Sequence, residues 1–292
     1  MAIGNFDGLH LGHQRLLATC VESGRGTGNV PAVLTFDPHP AAVLSPGGPP
    51  LLILSRRSQR RALQDLGIEE IVRLTFDEAA SSAPPEEFVE SVLIEALKTR
   101  VVVVGAGFRF GVARSGDVAT LRRLGAGQFQ TIEAPVLWDE KGPISSSRIR
   151  DALSRGDLDE AVRSLGRPYE IEGIVGPGDG RGRAIGFPTA NIELEGAGAL
   201  RPGVYAADGL VEGEGARHRA AVNLGVRPTF NGQRLQLEAH FPGLDRDLYD
   251  RPIRLVFLTR LRDERRFDSA EALKAQIAVD VSQALAAAGG SR

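Results

Sequence analysis

Two histidines three residues apart, His10 and His13, stand in the glycine-bearing run Gly4-Asn5-Phe6-Asp7-Gly8-Leu9-His10-Leu11-Gly12-His13. A short apolar start, Ala2–Ile3, leads into this run, and a helical stretch from Gln14 to Val21 follows it. Residues three apart at the opening of a helix lie on one face. Glycines let the backbone approach a bound group closely, and a helix N-terminus favours an anion. Aimed at a triphosphate, the two imidazoles could stabilise the charge that develops at the α-phosphorus as pyrophosphate leaves. Such chemistry is mostly positioning and electrostatics and needs no covalent intermediate. An isolated His-x-x-His also reads as a solvated pair or a metal site, but no carboxylate pair stands near it in the chain. Gly4, Phe6, Asp7 and Gly12 are the accompanying candidates for nucleotide contact.

Two further clusters carry chemistry of the same kind. In Ile144-Ser145-Ser146-Ser147-Arg148-Ile149-Arg150, Ser146 and its neighbours can cap a helix entry while Arg148 forks onto phosphate oxygens. An ordinary capped helix explains that stretch equally well. The segment from Gly176 to Asn191 is dense in glycine and arginine. Its loop, with Gly178, Gly182 and Arg183, could fold over phosphates as an anion nest. Thr189 and Asn191 alternate along an extended run and so face one side. A hydroxyl and an amide oxygen are hard ligands that suit Mg²⁺ bridging nucleotide phosphates. By composition alone this segment is a mobile loop before a strand.

The elements that must hold these residues fall into two rhythms. Up to about residue 165, strands and helices alternate: Pro31 to Phe36, a helix from Arg56 to Leu66, Glu70 to Phe76, and a helix opened by Pro84–Pro85 and running through Lys98. Val101 to Val104 reads as a central strand buried on both faces. A helix around Asp117 to Leu124 and a strand from Phe129 to Leu137 complete the series. This alternation predicts an α/β domain with a parallel sheet, binding ligands beyond the carboxyl ends of its strands. From Arg167–Pro168 onward the strands are short and closely spaced: Tyr169–Val175, Gly203–Val211, Arg219–Leu224, Leu235–His240 and Ile253–Leu258. They predict a compact antiparallel β-barrel, closed by a helix capped at Asp268–Ser269 and running to about Ala286. The expected domains are residues 1–165 and 166–292, bridged by a partly helical stretch from Ser154 to Arg167.

Composition narrows the partners. The 292 residues carry a formal net charge of −2, which lacks the basic footprint of a nucleic-acid binder. Small-molecule substrates held by local charge are expected instead. One cysteine, Cys20, leaves no internal disulfide and fits a reducing compartment, as a small buried hydrophobe. No apolar run reaches the ~18 residues of a membrane span, and the N-terminus lacks signal-peptide character. The expectation is a cytoplasmic protein without membrane or nucleic-acid partners; self-association is left open.

The run Gly4-x-Phe6-Asp7-Gly8-x-His10-x-Gly12-His13 resembles the adenylyltransferase half of bacterial bifunctional FAD synthetases, and Ser145 to Arg148 resembles that family's second phosphate motif. Gly182-x-x-x-Gly186-Phe187-Pro188-Thr189-Ala190-Asn191 resembles the riboflavin kinase half. The stretches Gly203 to Ala206, Ala221 to Phe230, Leu237 to His240, Asp247 to Tyr249 and Leu261 to Asp268 follow in the family's order.

The resemblance implies phosphorylation of riboflavin to FMN by ATP, then adenylylation of FMN to FAD, with Mg²⁺ as cofactor. It makes Glu238 the general base for the riboflavin 5′-hydroxyl, although a lone glutamate in a strand is otherwise a solvated residue. Arg262 becomes a flavin or nucleotide contact. Two positions depart from the family pattern. Gly107 replaces the Asn or Asp usual before Phe-x-Phe-Gly, and only Met1 to Ile3 precede Gly4 where relatives carry some twenty residues. Both point to a weakened adenylyltransferase half, so a protein working as riboflavin kinase alone is the alternative. A non-catalytic flavin-binding module and a nucleotidyltransferase for another acceptor are more distant alternatives.

Overall fold

A computed structural model describes residues 1–178, 180–194, 198–229 and 232–288. The chain divides into two compact units, one of residues Met1–Pro50 with Gln59–Ser145 and the other of Leu51–Ser58 with Ser146–Arg292.

In the first unit, β1 (Ala2–Ile3), β2 (Ala32–Asp37), β3 (Glu70–Thr75), β4 (Val101–Gly105) and β5 (Gln130–Ala134) form a parallel sheet in the order β3-β2-β1-β4-β5. The chain steps outward from β1 to β3, then returns to β1's other side with β4. The strand order therefore reverses between β1 and β4, where α/β sheets bind ligands. β1 has two residues, both buried, and still bonds to both neighbours: Gly4 donates to the Leu34 carbonyl at 3.1 Å and Val103 to the Met1 carbonyl at 2.8 Å. The valine run forms the inner strand it predicts, with Val102, Val103 and Val104 fully buried.

Helix α1 (Leu11–Gly24) begins three residues earlier than its apolar pattern suggests, because His10 serves as its N-cap. Helices α2 (Ala41–Leu44), α3 (Arg56–Asp65) and α4 (Glu78–Ser82) follow. Pro85 opens α5 (Pro85–Glu87), which passes directly into a π-helical stretch, Phe88–Ala96, where the sequence suggests an ordinary helix. Helix α6 (Val118–Leu124) is capped by Asp117. After β5, the chain makes a small hairpin, β6 (Trp138–Asp139) and β7 (Gly142–Pro143). The core joins the strands to the π-helical stretch through Ile3, Leu34, Leu93, Val104 and Leu121.

The second unit starts its main run with α7 (Ser146–Arg155) and α8 (Leu158–Leu165), the latter capped by Asp157 and ended by left-handed Gly166. Strands β8 (Glu170–Gly176), β9 (Ala190–Leu194), β10 (Gly203–Val211), β11 (Arg217–Thr229), β12 (Gly232–His240) and β13 (Pro252–Arg262) close a barrel in the order β10-β11-β12-β9-β8-β13. A short helix, α9 (Arg181–Ala184), interrupts the chain between β8 and β9. β11 and β12 run well beyond the apolar segments that announce them, paired from Ala221 with His240 to Thr229 with Gly232. Helix α10 (Ala270–Ala286), capped by Ser269, packs on the barrel through Ala284 against Ala206 and Ala221. These small side chains let a helix lie close on the sheet.

Candidate functional site

The first candidate site sits where the strand order reverses. The His10 and His13 rings stack with centroids 3.7 Å apart, and the Phe6 ring meets His13 edge-on at 5.4 Å. His10 is buried and its Nδ1 accepts the His13 backbone amide at 3.2 Å, which places the neutral imidazole's proton on Nε2. Burial, and secondarily the adjacent His10, hold the His13 pKa well below 6.5. The His13 ring is thus a neutral group near pH 7 rather than a fixed cation. Gly12 lies against the His10 ring, where a Cβ would come within 3.1 Å of it.

Phe6 and Asp7 are buried in the fold, Phe6 completely. Phe6 and Leu9 hold positive φ angles of 50° and 46°. Strained backbone of this kind persists only where the surroundings over-determine it. One determinant is invisible in the sequence: Gln59 Nε2 on α3 donates to the carbonyls of Asn5 at 2.9 Å and Phe6 at 3.3 Å. Asn5 also meets His39 Nε2 at 3.2 Å, two residues beyond the end of β2.

Beside this loop opens a largely apolar cavity of about 570 Å³. Gly4, Phe36, Thr75 and Phe108 line it from the carboxyl ends of β1, β2, β3 and β4, with Phe76, Phe88 and Phe110 adding aromatic walls. Its size and aromatic lining suit a flat ring system. Gly107 has φ +82°, and a Cβ there would meet nothing within 4 Å. Asn and Asp tolerate that left-handed region, so the same backbone would accept the family's usual side chain.

Ser146 and Arg148 lie on α7, in the second unit. Ser146 is half-buried in the helix's first turn. The Arg148 guanidinium is held by Glu160 of α8, with Nε 2.8 Å from Oε1. Arg163 binds the other carboxylate oxygen at 2.7 Å. Glu160 is almost fully buried, and nothing in the Ser-Ser-Arg run itself signals this partner.

The second candidate site is a cavity of about 410 Å³ in the barrel unit. Gly182, Thr189, Asn191, Glu238 and Arg262 all line it, as do Asn223, His240, Arg265 and Phe267. Register puts Glu238 of β12 directly opposite Asn191 of β9. Gln236 Nε2 donates to both, 2.8 Å from Asn191 Oδ1 and 2.8 Å from Glu238 Oε1. On its other flank the Asn191 amide presses on Gly178, where a Cβ would sit 1.8 Å from Nδ2. Gly178 is thus required for the approach of Asn191. Arg183 is exposed on α9. His240 Nδ1 lies 2.7 Å from the Pro188 carbonyl and its ring meets Phe187 edge-on, tying the Gly-Phe-Pro-Thr loop to β12. Arg262 forms a bidentate pair with buried Asp280 of α10, at 2.9 and 2.6 Å, and faces the Phe267 ring. Asp179 and Phe230, which complete the sequence motifs, lie outside the described residues. The oxygen donors of Thr189 and Asn191 share one wall and fit Mg²⁺ in chemistry.

A parallel sheet with a histidine pair at its switch point, and a barrel with a carboxylate opposite an amide, define a two-part ATP-using transferase. Residues 1–148 match the model of the FAD synthetase family and residues 165–288 that of the riboflavin kinase family. The chain is 37% identical over 281 residues to the bifunctional riboflavin kinase/FMN adenylyltransferase of Escherichia coli K12, covering 96% of this chain and 90% of that protein. It is 38% identical to the protein of the same name from Pseudomonas fluorescens, covering 99% and 93%. A crystal structure described as a macrolide-efflux protein from Streptococcus pneumoniae superimposes with a TM-score of 0.84 at 32% identity, covering 97% of this chain and 93% of that one. Among the described residues no helix is long and apolar enough to cross a membrane. The chain belongs to the bifunctional riboflavin kinase/FMN adenylyltransferase family.

Proposed function

We propose that the chain transfers the γ-phosphoryl group of ATP to riboflavin in the barrel unit, and the adenylyl group of a second ATP to FMN in the sheet unit. The observation that carries this reading is the convergence of Thr189, Asn191 and Glu238 on one cavity, from the loop before β9, from β9 and from β12.

In the kinase step, Glu238 accepts the proton of the riboflavin 5′-hydroxyl as that oxygen attacks the γ-phosphorus and ADP leaves. Thr189 and Asn191 would hold Mg²⁺, which when bound neutralises charge on the nucleotide phosphates. Backbone amides around Gly178 and Gly182 face the phosphates, with Arg183 at the loop's exposed side. Arg262, fixed by Asp280, shapes the flavin end of the cavity.

In the adenylyl step, an FMN phosphate oxygen attacks the α-phosphorus of ATP and pyrophosphate leaves. His10 and His13 donate hydrogen bonds to oxygens whose charge grows in that transition state. Gly4 and Gly12 leave room for the nucleotide beside them, while Phe6 and Asp7 hold the loop's shape from within. A phosphate role for Ser146 and Arg148, which lie on α7, is what the family resemblance implies. The aromatic cavity beside Gly4 takes the flavin ring. Residues 1–165 and 166–292 remain our division of the two activities, and the single buried cysteine and use of ATP favour the cytoplasm.

Separation of flavins after incubation with Mg²⁺ and ATP tests the assignment. Glu238→Gln is expected to make no FMN from riboflavin yet still convert supplied FMN to FAD. His10→Ala and His13→Ala are expected to do the reverse, each lowering FAD formation by roughly 10²-fold or more. Substantial kinase activity in Glu238→Gln removes the base role, and unchanged FAD synthesis in the histidine variants removes them from the site.

A further inference from the structure

Gln236 stands two residues before Glu238 on β12, on the same face of the strand. Because Glu238 is opposite Asn191, Gln236 lies diagonally across from that asparagine, within reach of a long side chain. Its amide has two N–H donors. One goes to Asn191 Oδ1 and one to Glu238 Oε1, each at 2.8 Å. Among the described residues lining the barrel cavity are Asn191 and Glu238, but not Gln236, which adjoins both of them.

We propose that Gln236 is a positioning residue for the kinase reaction, bridging the metal-ligand side chain and the base and fixing the distance between them. This rests on reading Glu238 as the base and Asn191 as a Mg²⁺ ligand. The Asn191 amide is bracketed: Oδ1 receives the Gln236 N–H, and Nδ2 lies against Gly178 with no room for a Cβ between them. A flipped amide would set two sets of N–H donors against each other at Gln236 and point its own N–H₂ toward the cation. The donor from Gln236 excludes that orientation and leaves the second lone pair of Oδ1 for metal. On the other side, the N–H donated to Glu238 Oε1 holds that carboxylate in place beside Asn191.

The test uses the full chain with Gln236→Leu, which keeps the size and removes both donors, and Gln236→Glu, which keeps the shape should the leucine variant fold poorly. Two readouts separate positioning from mere structure. Mn²⁺ affinity in the presence of ADP, followed by electron paramagnetic resonance, is expected to weaken roughly 10- to 100-fold. For riboflavin phosphorylation kcat is expected to fall about tenfold or more with the riboflavin KM little changed. Glu238→Gln is run alongside. If that variant phosphorylates riboflavin normally, the underlying reading of the base fails. If it is inactive while both Gln236 variants keep wild-type Mn²⁺ affinity, the inference about Gln236 is overturned, even where their kcat has fallen.

Discussion

At the residue scale the two sites use charge in opposite ways. The barrel gathers a carboxylate and hard oxygens, whereas the sheet unit offers a stacked imidazole pair of which His13 is kept neutral by its own packing. The lowered pKa of His13 has a consequence for stability. In the unfolded chain this histidine takes up its proton near 6.5, while in the folded unit burial first, and His10 second, oppose protonation. Below 6.5 the unfolded state therefore binds more protons, and the folded unit loses stability as pH falls, until its own much lower pKa is reached. One proton sets a ceiling of about 1.4 kcal/mol per pH unit on that slope. Hydrogen exchange of the β4 amides reads the first unit alone. Their protection should decline between pH 6.5 and 5 in the wild type and flatten in His13→Gln. An identical slope in that variant would show that some other group titrates.

At the scale of elements, what could be read in advance was whatever local pattern dictates. Four valines in a row meant a strand covered on both faces, and β4 is one. Proline and glycine turns set the barrel strands apart, and five of the six appear near their apolar segments. β9 was legible only as the extended run through Thr189 and Asn191, because Asn191 and Glu193 break its apolar pattern, and its place between β8 and β12 depends on register with distant strands. The long arms of β11 and β12 escaped for a related reason: their outer residues include Gly225, Pro228, Gly232 and charged residues, and pairing extends them. Side-chain partners such as Glu160 for Arg148, Asp280 for Arg262 and Gln59 for the Asn5–Phe6 carbonyls lie far away in sequence, so no motif announces them. The glycine loop shows how spacing and structure combine. Gly178 read as a phosphate nest, and the fold gives it a second duty in admitting the Asn191 amide. Gly178→Ala meets only the end of a side chain, so thermal unfolding of the barrel should barely change. Asn191, however, must move, and a misplacement of about 1 Å in a catalytic constellation can cost roughly 10²-fold. FMN formation should fall by that order while conversion of supplied FMN to FAD stays intact. A variant with normal kinase activity would mean that Asn191 is not required in its observed place.

At the scale of the whole molecule, each activity rests on a unit with its own core, the first around Leu93 and Val104 and the second including Ala206, Ala221 and Ala284. The product of one unit is the acceptor of the other, so the pair of reactions makes FAD only if FMN passes between sites. The cavity beside Gly4 and the cavity lined by Glu238 each belong to one unit, and we expect FMN to be released from the second to solvent and recaptured by the first. Complementation tests this directly. Glu238→Gln chains retain the adenylyl step and His13→Ala chains the kinase step, so an equal mixture given riboflavin, Mg²⁺ and ATP should form FAD after a lag in which free FMN accumulates. The steady rate should approach that of the slower half-reaction and be insensitive to dilution once FMN is saturating. A mixture that stalls at FMN, although its Glu238→Gln component converts added FMN, would mean the product stays with the chain that made it. The two activities would then be coupled within a single molecule rather than through a shared pool.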